Sequence, residues 1–163
     1  MIPQIIAEIK QQLPLLRHKL NYLELKDRSI KMEYDLKTGV MFVLDSNILN
    51  HTELSAEIKR IKSIDYVDDV LILILTSGCE LGTHLDNEEI DGNRVVVSLK
   101  IPDGPTRLQI KEDTIDLDYD KFVFFDAAII EHNACNQSDE DWIILVVKIN
   151  KQINIKRDYL ILN

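Results

Sequence analysis

The chain has 163 residues, 45% of them apolar and 29% charged, enough for one domain with its own hydrophobic core and no need of a disulfide or a structural metal merely to fold. Its net charge of −9, from 28 acidic and 19 basic side chains, repels phosphate backbones and argues against nucleic acid as a partner. The longest apolar run, Val70 to Leu75, is too short to span a bilayer, and Met1 to Leu20 is interrupted by Glu8, Lys10, Arg17 and Lys19, so neither a membrane span nor a secretory leader is expected.

Ile5, Ile6, Ile9, Leu13, Leu16 and Leu20 recur at helical spacing, which predicts a helix from about Pro3 to Lys19 that Pro14 should kink or divide. From Asp27 the period becomes two: Ile30, Met32 and Tyr34 alternate with Lys31, Glu33 and Asp35. Lys37-Thr38-Gly39 reads as a turn and Val40 to Leu44 as the second arm of a hairpin. Thr52 is placed to cap a helix running through about Ile61.

Beyond that point strands and turns alternate. Val70–Thr76, Arg94–Ile101, Arg107–Lys111, Phe122–Phe125, Ile129–Ala134 and Trp142–Ile149 read as strands, and Lys156–Leu162 as one more. Turn clusters at Ser77-Gly78, Asp91-Gly92-Asn93, Pro102-Asp103-Gly104-Pro105 and Asn136 to Asp139 separate them. Short strands at regular spacing predict a sandwich or barrel. With no secretory leader expected, Cys79 and Cys135 are expected as free thiols that pack as small buried residues, in a cytoplasmic setting.

Chemistry concentrates at three residues. His84 and Asp86 stand at i and i+2, so on extended backbone both project to one face while Leu85 points away. His132 follows a later strand. Two imidazoles and one carboxylate are the facial ligand set of non-haem iron(II), which leaves three coordination positions open; a 2-oxoacid can take two of them through its carboxylate and keto oxygens. Asp86 could alternatively orient a histidine from outside the ligand set. His18 and His51 read as surface residues, Asn136 as a turn-bonding side chain, and Asp139, Glu140 and Asp141 as a solvated charge run.

Thr76 to Asp86, then Asn93 to Pro102, then Phe125-Asp126 and Glu131 to Asp139 resemble the aspartyl/asparaginyl β-hydroxylase family, in motif order and spacing, over Val70 to Ile149. The resemblance implies a mainly β fold with N-terminal helices, a double-stranded β-helix (cupin-like jelly roll). It implies iron(II) as the metal, 2-oxoglutarate as co-substrate, and hydroxylation of an amino-acid side chain, free or within a peptide. By position His84, Asp86 and His132 match the metal ligands, and Arg94 matches an arginine of the co-substrate pocket.

One departure stands out. Where the family carries an arginine that clamps the far carboxylate of 2-oxoglutarate, this chain has Trp142, whose single N–H cannot reproduce a guanidinium fork. Arg94 or Arg107 would have to serve instead, with Arg94 favoured, or else the chain is a non-catalytic or non-2-oxoglutarate cupin-like metal-binding module. The division expected is residues 1–66 as helix-rich support, 67–150 as the metal-binding jelly-roll core and 151–163 as a tail or edge strand. Partners are expected to be a small amino acid or a peptide or protein substrate, with specificity in loops Asn87–Asn93 and Pro102–Thr106; Glu88, Glu89 and Asp91 hint at a cationic group.

Overall fold

The computed structural model describes residues 1–32, 36–86 and 92–163. Tyr34 and the loop residues 87–91, including Glu88, Glu89 and Asp91, lie outside the described residues.

The chain opens with α1 (Ile2–Lys19) and α2 (Tyr22–Arg28), followed by β1 (Ile30–Met32), β2 (Leu36–Thr38), β3 (Met41–Leu44), α3 (Ser46–Leu49) and α4 (Ser55–Lys62). The remaining strands are β4 (Val67–Leu75), β5 (Glu80–Leu81), β6 (Asn93–Lys100), β7 (Thr106–Ile110), β8 (Asp113–Ile115), β9 (Phe122–Asp126), β10 (His132–Asn136), β11 (Trp142–Ile149) and β12 (Tyr159–Leu162). They form two antiparallel sheets, ordered β1-β3-β4-β11-β6-β9-β12 and β2-β5-β10-β7-β8. The fold is mainly β with N-terminal helices, a jelly-roll sandwich.

Alternation along the strands explains the layering. On β11, Ile143, Leu145, Val147 and Ile149 join the apolar cluster under the helices, with Ile9, Leu16 and Ile58. Trp142, Ile144 and Val146 face the second sheet, with Val96, Leu108, Phe125 and Ala134. A strand covered on both faces reads as a continuous apolar run, which is why β11 matches its sequence-predicted bounds. The smaller sheet has one wet face, and β7 accordingly alternates: Leu108 and Ile110 are buried while Arg107 and Gln109 are not.

Several local expectations are corrected. Pro14 does not divide α1, because it sits on the exposed side while Ile9, Leu13 and Leu16 are buried and hold the helix across it. Thr52 does not cap α4. Its hydroxyl donates to the Leu49 carbonyl and accepts from the Leu54 N–H, so it closes the turn between α3 and α4. The cap that the side-chain rule describes is Asp45, which accepts from the Ile48 N–H at 2.9 Å at the start of α3. β1 and β3 do pair, Ile30 opposite Val43, yet Leu36–Thr38 forms β2 and crosses to the other sheet. Gly39 then turns the chain with φ +76°, where a Cβ would lie 2.5 Å from the Cys79 Cα, so only glycine fits there.

Candidate metal centre

At one end of the sandwich β9 leaves the larger sheet and β10 enters the smaller one. The strand rows ending there bring Asn93 opposite Asp126, Arg94 opposite Phe125 and Lys148 opposite Arg94. The chain beyond β5 runs past the start of β10. His84 and His132 exchange both backbone hydrogen bonds, at 3.1 and 3.2 Å, as an isolated antiparallel bridge. Residues paired this way project to the same side, and the ring centroids are 4.4 Å apart. The Asp86 N–H donates to the Ala127 carbonyl at 2.8 Å, which fixes the extended backbone and places its carboxylate beside the two rings. Leu85 is exposed and points away, as the i, i+2 geometry requires.

Each imidazole is oriented by backbone. His84 Nδ1 lies 2.7 Å from the Gly82 carbonyl and His132 Nδ1 lies 2.9 Å from the Ile130 carbonyl. A carbonyl only accepts, so each Nδ1 carries the proton. In the neutral tautomer both Nε2 lone pairs are therefore directed inward. The Phe125 ring meets His132 edge-on at 5.1 Å and closes the inner side.

Asp86 Oδ1 lies 3.4 Å from His84 Nε2 and 3.5 Å from His132 Nε2. All three ligand atoms fall within 4.8 Å of one another. Two nitrogen lone pairs and a carboxylate oxygen converging so closely repel unless positive charge lies between them, either a metal ion or a proton on each ring. The donor set of two imidazoles and one carboxylate suits a borderline divalent ion with open positions. Asp86 Oδ2 is ion-paired with Arg94 Nη2, and Arg94 Nε donates to the Gly92 carbonyl at 3.3 Å. Burial alone would raise the Asp86 pKa. With both rings doubly protonated and no metal bound, hydrogen bonds from His132 and His84, together with the charge of Arg94, outweigh it and hold the carboxyl well below its usual range.

His84, Asp86, His132 and Arg94 are thus brought together. Asp86 Oδ1 faces Nε2 rather than Nδ1 of both rings. Arg107 is corrected as a clamp candidate: Leu108 and Ile110 of β7 fill the core, so Arg107 is on the outer face, 4.0 Å from Glu80. Trp142 is fully buried, and its indole N–H donates to Ser98 Oγ at 2.9 Å, which in turn donates to the Leu117 carbonyl. Asp141 is also corrected: instead of simply facing water it pairs with Lys26 at 3.2 Å. Cys79 and Cys135 are both free and buried, and Asn136 bonds the carbonyls of Leu75, Thr76 and Glu140. Lys148, near the end of β11, is a further charged residue beside the site. Its signal is a cation placed in phase with Trp142, Ile144 and Val146 on an otherwise apolar strand.

The family model described as aspartyl/asparaginyl beta-hydroxylase matches residues 37–152. Among curated proteins none matches the chain. Among solved structures, a pirin from Escherichia coli in complex with nickel(II) is 13% identical at a TM-score of 0.52, with 83% of this chain and 55% of that one covered. AerE from Microcystis aeruginosa is 14% identical at a TM-score of 0.50, covering 83% of this chain and 51% of its own. An oxidoreductase of the 2OG-Fe(II) oxygenase family from Burkholderia pseudomallei is 14% identical at 0.49, covering 78% of each chain. At these identities the pirin and AerE speak to the fold alone. The family model covers most of the chain and spans all three converging residues and Arg94, and on that ground the chain belongs to the aspartyl/asparaginyl β-hydroxylase family.

Proposed function

We propose that the chain is an iron(II)- and 2-oxoglutarate-dependent dioxygenase that hydroxylates an amino-acid side chain, free or in a peptide. The observation that carries this reading is the convergence of His84 Nε2, His132 Nε2 and Asp86 Oδ1, with both ring tautomers set by backbone carbonyls. These residues would hold the iron, and Arg94 would steady Asp86 and face the co-substrate. Bound iron would activate dioxygen, the oxidant, with 2-oxoglutarate giving up two electrons to become succinate and carbon dioxide, chemistry at an amino-acid C–H that no protein side chain can perform. The chain's own contribution is placement. Phe125, packed edge-on against His132, and the buried sheet interface keep the inner side apolar. Family membership supports the hydroxylase class. The cytoplasmic setting and a substrate that is neither nucleic acid nor membrane are part of the proposal and rest on the sequence; no helix of the described residues is long and apolar enough to cross a membrane.

The test is an anaerobic titration of the metal-free protein with iron(II), then with 2-oxoglutarate. A weak visible charge-transfer band that requires both additions, and is lost in His132→Ala, supports the proposal. Iron binding with no band favours a second reading, a cupin-like metal-binding module that does not use 2-oxoglutarate. That reading has its own observation. The Trp142 N–H is already committed to Ser98, so this position offers a ligand nothing.

A further inference from the structure

Lys148 and Arg94 are directly opposite each other on neighbouring strands. Both are in phase with residues that face the second sheet: Val96 for Arg94, and Val146 and Ile144 for Lys148. Their Cβ atoms therefore stand about 4.5–5.5 Å apart on one face, where like charges destabilise a sheet. Lys148 is half-buried, and it makes no hydrogen bond or ion pair with any described residue. Asp69 lies opposite Lys148 on its other side, yet its Oδ1 accepts from the Val70 N–H at 2.8 Å and faces Lys62 at 3.8 Å. On Arg94, Nη2 is ion-paired with Asp86 and Nε donates to the Gly92 carbonyl. Two cations adjacent on one face, one without a partner among the described residues and the other touching the candidate metal ligand, describe a place for an anion.

The opposite end of β11 cannot provide that place. Trp142 is fully buried there against Leu75, with its one donor spent on Ser98.

We propose that Lys148 and Arg94 together form a carboxylate-binding pair at the open end of the sandwich, which grips the ligand from the rim rather than from the depth of the core. This inference rests on the metal-centre reading for its setting, since the carboxylate would belong to a molecule that also approaches His84, Asp86 and His132. The carboxylate comes either from the 2-oxoacid or from the α-carboxylate of an amino-acid substrate. Lysine supplies a point charge with rotatable donors and Arg94 a planar N–H edge, a combination that holds a carboxylate by two charge-assisted hydrogen bonds.

The test compares wild type, Lys148→Gln and Lys148→Arg. Each is loaded with manganese(II) and titrated calorimetrically with 2-oxoglutarate and separately with L-asparagine. At least one probe should bind the wild type, weaken about tenfold or more in Lys148→Gln and recover in Lys148→Arg, because a charge-assisted contact is lost and restored. The probe that responds names the source of the carboxylate. The melting temperature of metal-free Lys148→Gln should equal or exceed that of the wild type, because a like-charge pair is removed. If neither probe binds, or if both bind wild type and Lys148→Gln alike, the carboxylate pair is overturned while manganese binding keeps the metal centre intact. If manganese itself does not bind, the metal reading fails, and the same comparison without metal decides the carboxylate pair on its own.

Discussion

Replacing Trp142 with phenylalanine tests whether the core is closed where a clamp arginine would stand. The indole is fully buried and donates to Ser98 Oγ at 2.9 Å. Loss of that hydrogen bond costs about 1 kcal/mol. Truncating a buried aromatic ring to alanine costs about 3–5 kcal/mol, so the smaller change to phenylalanine is expected to add about 1–2 kcal/mol. The total is about 2–3 kcal/mol, read from urea unfolding by circular dichroism, because the substitution removes the only tryptophan of the chain. Ser98→Ala should cost about 1–3 kcal/mol by stranding the indole N–H in the core. The double variant should then cost about 1 kcal/mol less than the two singles added. Metal affinity should not change, since Trp142 sits opposite Leu75, at the far end of β11 from Lys148 and Arg94. A cost below about 0.5 kcal/mol for Trp142→Phe, or strict additivity with Ser98→Ala, would refute this picture of a closed, hydrogen-bonded core.

Other positions give equally direct outcomes. Asn136 is fully buried, donates to the carbonyls of Leu75, Thr76 and Glu140, and accepts from the Ser138 N–H and hydroxyl; Asn136→Ala should cost about 3 kcal/mol or more in chemical unfolding, because several buried groups lose partners together. Gly39→Ala should cost at least about 1–2 kcal/mol from its positive φ, and more from the contact with the Cys79 backbone, with a matching fall in melting temperature. Burial, with a smaller contribution from Cys135, pushes the Cys79 thiol up to about 11. Both cysteines should therefore react with a thiol reagent at pH 8 only after unfolding. The sign for stability follows: the unfolded thiol ionises near 9.0 and the folded one near 11, so Cys79 makes stability fall as pH rises through that window.

Much of this architecture is legible in the sequence because the physics is local. β11 and β6 are apolar runs between turn clusters, and α1 carries its buried face at helical spacing. Short or composite elements were harder. β5 is only Glu80–Leu81 and is defined by pairing with β2 and β10, and β8 by pairing with β7, so neither carries a periodic pattern of its own. Ile129 to Glu131 reads as strand from its isoleucines, but β10 begins at His132 because the preceding residues turn: the N–H groups of Ile129 and Ile130 bond back to the Asp126 carbonyl. At the site, the i, i+2 spacing placed His84 and Asp86 correctly on one face. The carbonyls of Gly82 and Ile130 that set the ring tautomers are backbone groups, which no residue identity reveals. Arg107 is turned outward by the phase of β7, whose Leu108 and Ile110 take the core side.

The central claim is that His84, Asp86 and His132 form one metal site. Its most direct test is calorimetric titration of the metal-free protein with iron(II) under anaerobic conditions, on the wild type and on His84→Ala, Asp86→Ala and His132→Ala. The account predicts one ion per chain, bound about tenfold or more weakly once any one of the three is removed. Absence of binding to the wild type, or binding that survives all three substitutions unchanged, would contradict it.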